Sequence, residues 1–407
     1  MNINKKWLWI GTRLSDGLLY SRALNGLDVF FSLDSLEYTK TSFSFHSLTS
    51  NNFNKKWTSN DISQLISLYD NEINQYLQKG YGIFPYYLSA ESLIKINDPN
   101  IFNKLVFNNQ LTRSLQRDLC NQSGVRTPNW TIPHNKTWSE LVSLLGEVIV
   151  FQFDNTSFGM GTFIIHNEKE YKLLNEKYGR AAIATEYLND GYSCSTHLWI
   201  TKDNVLISPA SVQIIEQYNL QLNCGIKGFS FKGNDFGLYE QNVKNNNDID
   251  YHLHKIGLML QKIGIYGLLG IDYIVQGSKF YYLETNFRLQ SSTPLLSYLQ
   301  PLGKGNVINC LIPKFTSFSN VESAYQYYAN VNTSKILSGC YAEDGKYLSE
   351  FNPYKSNNKN SIIVFSSKNI GMGQSLRIIG FGIGCDEYGN IKSKVKTFLK
   401  NLIREFT

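Results

Sequence analysis

Two predicted β-strands and the turn between them are encoded by the stretch Gly270-Ile-Asp-Tyr-Ile-Val-Gln-Gly-Ser-Lys-Phe-Tyr-Tyr-Leu-Glu-Thr-Asn-Phe-Arg-Leu-Gln290, in which Gly277 and Ser278 mark the turn. Each strand carries one acidic residue among apolar neighbours, Asp272 in the first and Glu284 in the second. Burying an unpaired carboxylate is costly. The stretch therefore predicts either a bound cation or two carboxylates on an exposed strand edge.

The register of this hairpin decides whether the two acids can act together. Side chains two apart on a strand point to the same face, so Glu284, Asn286 and Arg288 are expected to project together. Asp272 joins them only if it lies opposite Glu284. That pairing calls for a three-residue turn over 277–279, because a two-residue turn is expected to send Asp272 to the other face.

The order of residues from Asp272 to Gln290 resembles the metal-binding hairpin of ATP-grasp enzymes, above all the biotin carboxylase and carbamoyl-phosphate synthetase branch and related amino-acid ligases. The resemblance implies that Asp272, Glu284 and Asn286 bind Mg²⁺, with Mn²⁺ as a substitute, and carboxylate and amide oxygens are ligands that Mg²⁺ accepts. It also implies catalytic roles for Arg288 and Gln290 at a substrate carboxylate or a developing oxyanion.

Two earlier segments resemble the parts of this family that hold the phosphates of ATP. The loop 157–162 contains Ser157, Gly159 and Gly161 between two predicted strands. Glycines let backbone N–H groups approach anionic oxygens closely. Arg113 stands where the family often has a phosphate-contacting lysine, and its guanidinium can do the same work.

One departure from the family pattern concerns charge. Gln152 ends a predicted strand at the position where the family typically has a lysine. An amide can donate a hydrogen bond to a phosphate but brings no charge. Either nucleotide binding is weakened, or another residue compensates, for which Lys227 and Lys232 are candidates.

The end of the predicted strand 181–188 resembles the hinge whose backbone binds adenine. It contains Glu186, Tyr187 and Leu188, although an ordinary strand end explains the same pattern. Ser193 stands near the position of the family's ribose-binding glutamate, which is a second departure. Gln213 lies in a stretch that resembles the entry to the nucleotide cleft.

The composition limits the class of protein. The chain is 42% hydrophobic and 18% charged, with a net charge of +6 that is not concentrated in any block, so we expect no nucleic-acid partner. No apolar run reaches the ~18 residues of a membrane helix, and the six cysteines form no CxxC pair. We expect a cytoplasmic protein without a membrane partner, and a homodimer remains open.

The predicted fold class is α/β (α+β), an ATP-grasp fold in three parts. Residues 1–100 are expected to form a Rossmann-like N-terminal domain. Residues 101–310 are expected to form the ATP-grasp domain, with a small lid subdomain at about 110–187 and the metal-binding core at about 190–310. Residues 311–407 are expected to form a β-rich C-terminal subdomain.

The resemblance implies an ATP-dependent ligase that joins a carboxylate to an amine. The amide or peptide bond would form through an acylphosphate, with an amino acid, a peptide or another small molecule as substrate. Two alternatives are a bicarbonate-activating carboxylase-type subunit, which shares the Arg288-Leu-Gln290 pattern, and a nucleotide-binding protein without catalytic activity.

Overall fold

The structure is a computed structural model that describes residues 6–23, 26–34, 44–47, 59–88, 92–93, 96, 100–108, 110–154, 161–220, 225–244, 247–299, 324–331, 337–349, 361–369, 373–381 and 391–406. Helices pack against a small parallel sheet and a large, mostly antiparallel one. The predicted α/β class is confirmed.

The small sheet belongs to the first part of the chain. Its strands run parallel in the order β3-β2-β1-β4. They are β1 (Trp7–Gly11), β2 (Leu27–Ser32), β3 (Ser44–Ser47) and β4 (Gly82–Pro85). Every residue of β1 is buried, as is typical of a parallel strand covered on both faces. The helices here are α1 (Leu14–Ala23), α2 (Ser59–Leu68) and α3 (Asp70–Gln78).

The segment predicted as the lid contains a four-stranded antiparallel layer, which is called the lid below. Its strands are β5 (Trp130–Thr131), β6 (Ile149–Gln152), β7 (Thr162–Ile165) and β8 (Ile183–Glu186), in the order β5-β8-β6-β7. The helices α6 (Trp138–Leu145) and α7 (Glu168–Tyr178) cover it. Helix α6 starts at Trp138, because Thr137 and Glu140 form a capping box.

The large sheet forms the centre of the molecule. Its main path runs β14-β13-β9-β11-β12-β15-β19-β18-β16-β17, with β10 beside β9, and the lid joins it where β7 pairs with β12. The first strands of this path are β9 (Tyr192–Ile200), β10 (Val205–Ile207), β11 (Ser211–Asn219), β12 (Lys227–Asp235), β13 (Gly267–Gln276) and β14 (Lys279–Asn286). The last are β15 (Tyr325–Val331), β16 (Gly339–Tyr341), β17 (Tyr347–Ser349), β18 (Ser361–Asn369) and β19 (Gly373–Phe381). The C-terminal strands therefore continue the central sheet.

The remaining helices pack along this sheet. They are α4 (Lys104–Asn108), α5 (Arg113–Gln122), α8 (Phe236–Asn242), α9 (Asn247–Lys262), α10 (Thr293–Leu299) and α11 (Ile391–Phe406). Helix α5 begins at Arg113 because the Thr112 side chain accepts a hydrogen bond from the backbone N–H of Leu115. Within the described residues, no helix combines the length and the apolar character needed to cross a membrane.

Candidate active site

A cavity of about 500 Å³ lies where the lid, the β9–β14 part of the central sheet and the end of β4 meet. That volume suits a small-molecule ligand. Many of the residues singled out in the sequence line it. They are Arg113, Gln152, Glu186, Tyr187, Leu188, Ser193, Gln213, Asp272, Glu284, Asn286, Arg288 and Gln290. The fold therefore gathers segments that are far apart in the chain around one cavity.

The hairpin places Asp272 directly opposite Glu284, so this predicted pairing is confirmed. The predicted three-residue turn is wrong. Gln276 pairs with Lys279, and only residues 277–278 connect the two strands.

A β-bulge reconciles the short turn with the pairing of the two acids. The ladder passes from the pair Tyr273–Tyr282 to the pair Asp272–Glu284, which leaves Leu283 without a partner on β13. The extra residue of a bulge shifts the alternation of side chains by one position. Leu283 and Glu284 consequently both line the cavity, while Tyr282 is fully buried.

Three side-chain amides hold the Asp272 carboxylate. Gln213 and Gln290 each donate from Nε2 to Oδ1 at 3.0 Å, and Asn286 donates from Nδ2 to Oδ2 at 2.7 Å. Burial raises the pKa of Asp272, and hydrogen bonds to the carboxylate partly offset the rise. Because the amides carry no charge, a nearby cation would stabilise the ionised form further.

The Glu284 carboxylate forms an ion pair with the Arg113 guanidinium. Arg113 Nε also donates to the Phe153 carbonyl oxygen at 3.3 Å, so the side chain bridges the lid strand and the hairpin. Burial lowers the pKa of Arg113, and the carboxylates of Asp154 and Asp272 oppose that shift. A cation is therefore held beside the predicted metal ligands.

These residues fit a hard divalent cation such as Mg²⁺. Asn286 donates from Nδ2 to Asp272, so its Oδ1 is left as the acceptor atom. With the carboxylates of Asp272 and Glu284 it supplies the oxygen ligands that Mg²⁺ prefers. A metal at Glu284 would have to compete with Arg113 for the same carboxylate.

Gln152 has a charged neighbour that sequence reasoning did not identify. Arg117 donates from Nη2 to Gln152 Oε1 at 3.5 Å and from Nη1 to the Tyr282 carbonyl oxygen at 3.0 Å. The Arg117 side chain is fully buried. Its position four residues after Arg113 places it on the same face of α5, and this spacing is the signal that could have found it.

The residues predicted as the hinge line the cavity. The Glu186 carboxylate accepts two hydrogen bonds from Asn129. The Asn129 backbone N–H donates to Oε1 at 2.7 Å, and its Nδ2 donates to Oε2 at 3.1 Å. Ser193 donates from Oγ to Gln213 Oε1 at 2.7 Å. Because this bond fixes the Gln213 amide, Ser193 helps to orient the donor to Asp272.

Arg288 faces the end of the cavity that the N-terminal sheet supplies. Its Nη1 donates to the Tyr86 hydroxyl at 3.4 Å and to the Leu289 carbonyl oxygen at 3.2 Å. Burial raises the pKa of Tyr86, so its hydroxyl stays protonated at neutral pH. Tyr86 directly follows β4, and nothing in the local sequence pattern marked it as a site residue.

Some predicted site residues lie elsewhere. Lys232 Nζ is 3.9 Å from Glu216 and does not line the cavity. Gly161 precedes the lining residue Thr162, whereas Ser157 and Gly159 fall outside the described residues. Other lining residues were missed because single apolar or hydroxyl side chains carry no sequence signal. They include Ser195, Phe229, Phe231, Leu283, Ser291 and Ser292.

No family model and no curated protein match this sequence. Similarity to solved structures, by contrast, extends over almost the whole chain. A Campylobacter jejuni biotin carboxylase in its β,γ-ATP complex has a TM-score of 0.63 at 13% identity, covering 100% of this chain and 96% of that one. An N5-carboxyaminoimidazole synthetase from Staphylococcus aureus, complexed with ADP, has a TM-score of 0.58 at 14% identity, covering 98% and 99%.

A third similar structure contains bicarbonate. It is the biotin carboxylase domain of a Hydrogenobacter thermophilus 2-oxoglutarate carboxylase, in complex with MgADP, ADP and bicarbonate, with a TM-score of 0.60 at 14% identity over 97% of this chain and 90% of that one. Identities this low relate the folds and not the individual activities. The predicted ATP-grasp fold is confirmed.

Proposed function

We propose that this chain is an ATP- and Mg²⁺-dependent ligase that joins a carboxylate to an amine through an acylphosphate, with an amino acid or a peptide as substrate. One observation carries the proposal. The cavity brings the oxygen ligands of Asp272, Glu284 and Asn286 next to two guanidinium groups, those of Arg113 and Arg288. Anionic phosphates and a carboxylate are the ligands that such a set of groups favours.

The nucleotide would lie between the lid and the hairpin. The cavity is lined in part by apolar side chains that would pack against an adenine ring, among them Val150, Ile215 and Leu283. Tyr187 and Leu188 also line the cavity, and their backbone would hydrogen-bond the edge of the ring. The phosphates would then reach toward the polar end of the cavity.

At the polar end, Asp272, Glu284 and Asn286 would hold Mg²⁺, whose charge offsets that of the phosphates when it is bound. Arg113, which pairs with Glu284, would turn toward a phosphate when the nucleotide binds. Arg288 would hold the substrate carboxylate and stabilise the oxyanion that develops on its carbon. Gln290 and Gln213 keep Asp272 in place.

The proposed chemistry has two steps. A substrate carboxylate oxygen attacks the γ-phosphorus of ATP, which breaks the bond to ADP and gives the acylphosphate. The amine nitrogen then attacks the acyl carbon, loses a proton, and phosphate leaves as the amide forms. Exclusion of water by the lid protects the acylphosphate from hydrolysis.

A second candidate function is bicarbonate activation by a carboxylase-type subunit. The bicarbonate in one of the similar structures favours it. This activity would use the same metal ligands and Arg288, but bicarbonate would be the phosphorylated carboxylate. A biotinylated partner or another nitrogen nucleophile would then receive the carboxyl group.

Phosphate release from ATP would separate these functions. The purified chain would be incubated with MgATP and either a panel of amino acids and dipeptides or bicarbonate. Stimulation by an amino acid pair supports the amide ligase, and stimulation by bicarbonate supports the carboxylase-type activity. Asp272→Asn and Glu284→Gln should abolish release, whereas Lys172→Ala, at an exposed position on α7, should not. Unaltered turnover in either acid variant would refute the site.

A further inference from the structure

We infer that Arg117 is a positioning residue for the phosphates of the nucleotide. Arg117 contacts Gln152 on the side away from the cavity and orients its amide so that the NH₂ group faces the cavity. It also supplies the positive charge that the glutamine lacks. The inference rests on the proposed nucleotide site. It concerns how that site recognises an anion without a lysine at position 152.

Two side chains, Arg117 and Gln152, lead from the core to the cavity. Arg117 is 0% exposed and lies behind Gln152, which is 9% exposed and lines the cavity. Arg113 lines the same region one helical turn earlier on α5. Arg117 is therefore separated from the cavity by the side-chain amide of Gln152, and its charge would act on a bound anion through that amide.

The chemistry of the two side chains fixes the orientation of the amide. A guanidinium has donors and no acceptor, so the atom that faces Arg117 must be Gln152 Oε1. The Nε2 group then points away from Arg117, where it can donate to an anion in the cavity. A dipole oriented by a cation is a stronger donor than a free amide.

Among the residues that the structure describes, no carboxylate neutralises the charge of Arg117. Within the described part of the chain, its hydrogen bonds go to the Tyr282 carbonyl and to Gln152, and the carboxylate of Glu284 pairs with Arg113 instead. Burial lowers the pKa of Arg117 to about 10, so the group remains protonated at neutral pH. Burying an unpaired cation is unfavourable, and an anion bound on the far side of the amide would offset part of that cost.

The experiment compares two ligands that share the nucleoside and differ in phosphate. Dissociation constants for ATP and adenosine would be measured by calorimetry for the wild-type chain, Arg117→Met and Arg117→Lys. We expect Arg117→Met to weaken ATP about tenfold and adenosine by less than about twofold, the difference expected for losing one charge-assisted interaction. Arg117→Lys should retain most of the ATP affinity because it keeps the charge.

A double variant tests whether the charge acts at position 152. Gln152→Lys in the Arg117→Met background should restore ATP affinity about tenfold, because the new ammonium reaches the cavity directly. In the wild-type background the same substitution should give no gain and should lower the melting temperature, because it places two cations within contact distance. If Arg117→Met does not fold, Gln152→Met provides the test, with the same selective loss of ATP expected.

The outcomes separate this inference from the proposed function. Equal losses for ATP and adenosine, or no gain from Gln152→Lys in the Arg117→Met background, would show that Arg117 only supports the fold. If the wild-type chain binds ATP saturably while these results are seen, the nucleotide site stands and only the role of Arg117 fails. Absence of ATP binding by the wild-type chain would overturn both.

Discussion

Asp272 and Glu284 lie opposite each other on β13 and β14, although only two residues connect these strands and a regular ladder with that turn would place the two acids on opposite faces. The bulge at Leu283 brings them to one face. It also gives adjacent positions of β14 two roles at the cavity, since Leu283 presents an apolar surface and Glu284 a carboxylate.

Because one residue is apolar and the other acidic, we predict that Leu283 affects adenosine binding and that Glu284 affects the binding of the metal with ATP. Leu283→Ala should weaken adenosine binding severalfold because it removes apolar contact area from the cavity. Glu284→Gln should leave adenosine binding nearly unchanged and abolish the effect of Mg²⁺ on ATP binding. Calorimetric titrations with adenosine, ATP and MgATP would measure both. Equal effects of the two substitutions on all three ligands would contradict the assignment.

The ion pair between Arg113 and Glu284 predicts opposite changes in metal and nucleotide affinity. Arg113→Met should strengthen Mg²⁺ or Mn²⁺ binding in the absence of nucleotide, because the Glu284 carboxylate no longer has a competing cation. The same variant should weaken ATP about tenfold through loss of a charged donor. Metal titrations and ATP titrations would test this. Arg126→Met is the matched control, since that residue pairs with Asp248. A fall in both affinities would argue against competition at Glu284.

Gly270 leaves room for the buried side chain that holds Asp272. A methyl group at this position would lie 1.9 Å from Cδ of Gln290, which donates to Asp272 and accepts from Ser195. Gly270→Ala should displace Gln290 and lower ATP turnover at least tenfold, an effect of about 1.4 kcal/mol. Turnover assays on Gly270→Ala, Gln290→Ala and the double variant would measure it. In the double variant, Gly270→Ala should lower ATP turnover little further than Gln290→Ala alone. Full additivity of the two losses would contradict the idea that Gly270→Ala acts by displacing Gln290.

A buried ion pair joins the N-terminal helix α1 to the central sheet. Asp16 accepts from Arg377, which also donates to the Ser291 carbonyl oxygen at 2.9 Å and to Gln326 Oε1 at 2.6 Å. Asp16→Asn should lower the free energy of unfolding by about 3–5 kcal/mol because a buried guanidinium loses its counter-charge. Urea unfolding would measure the change. The exposed pair of Lys172 with Glu168 is the control, for which Glu168→Gln should cost less than about 1 kcal/mol.

The buried carboxyl group of Asp34 is expected to make the free energy of unfolding depend on pH. Burial raises its pKa to about 7, while the hydrogen bond from the Leu14 N–H and the charge of Arg13 oppose the rise. The folded state thus binds the proton more tightly than the unfolded state, so this contribution is complete below pH ~4 and is lost as the pH rises through about 7. The stability that Asp34→Asn gains over the wild type should therefore be smaller at pH 5 than at pH 8.

Unfolding free energies at the two pH values would test this. The expected gain for Asp34→Asn at pH 8 is on the order of 4 kcal/mol at most. Equal differences between variant and wild type at pH 5 and pH 8 would mean that Asp34 is not the group responsible.

Much of the fold and part of the cavity could be predicted from short stretches of sequence. The apolar run of β1, the capping box of α6 and the acids of the hairpin each depend on neighbours in the chain. Where a prediction depended on a distant contact, it was wrong or absent. The three-residue turn was wrong, and Arg117 and Tyr86 were not identified as neighbours of the site.

The sequence by itself determined which chemical groups are present and which of them share a strand or helix face, because these relations follow from the 2.0 and 3.6 periodicities of the backbone. Only the tertiary structure decided the bulge. The Tyr282 N–H donates to the Arg126 carbonyl oxygen, and the Tyr282 hydroxyl donates to Gln116 Oε1 at 2.8 Å. Contacts to another segment therefore fix Tyr282 in the core, Leu283 takes up the extra position, and Glu284 reaches the face of Asp272.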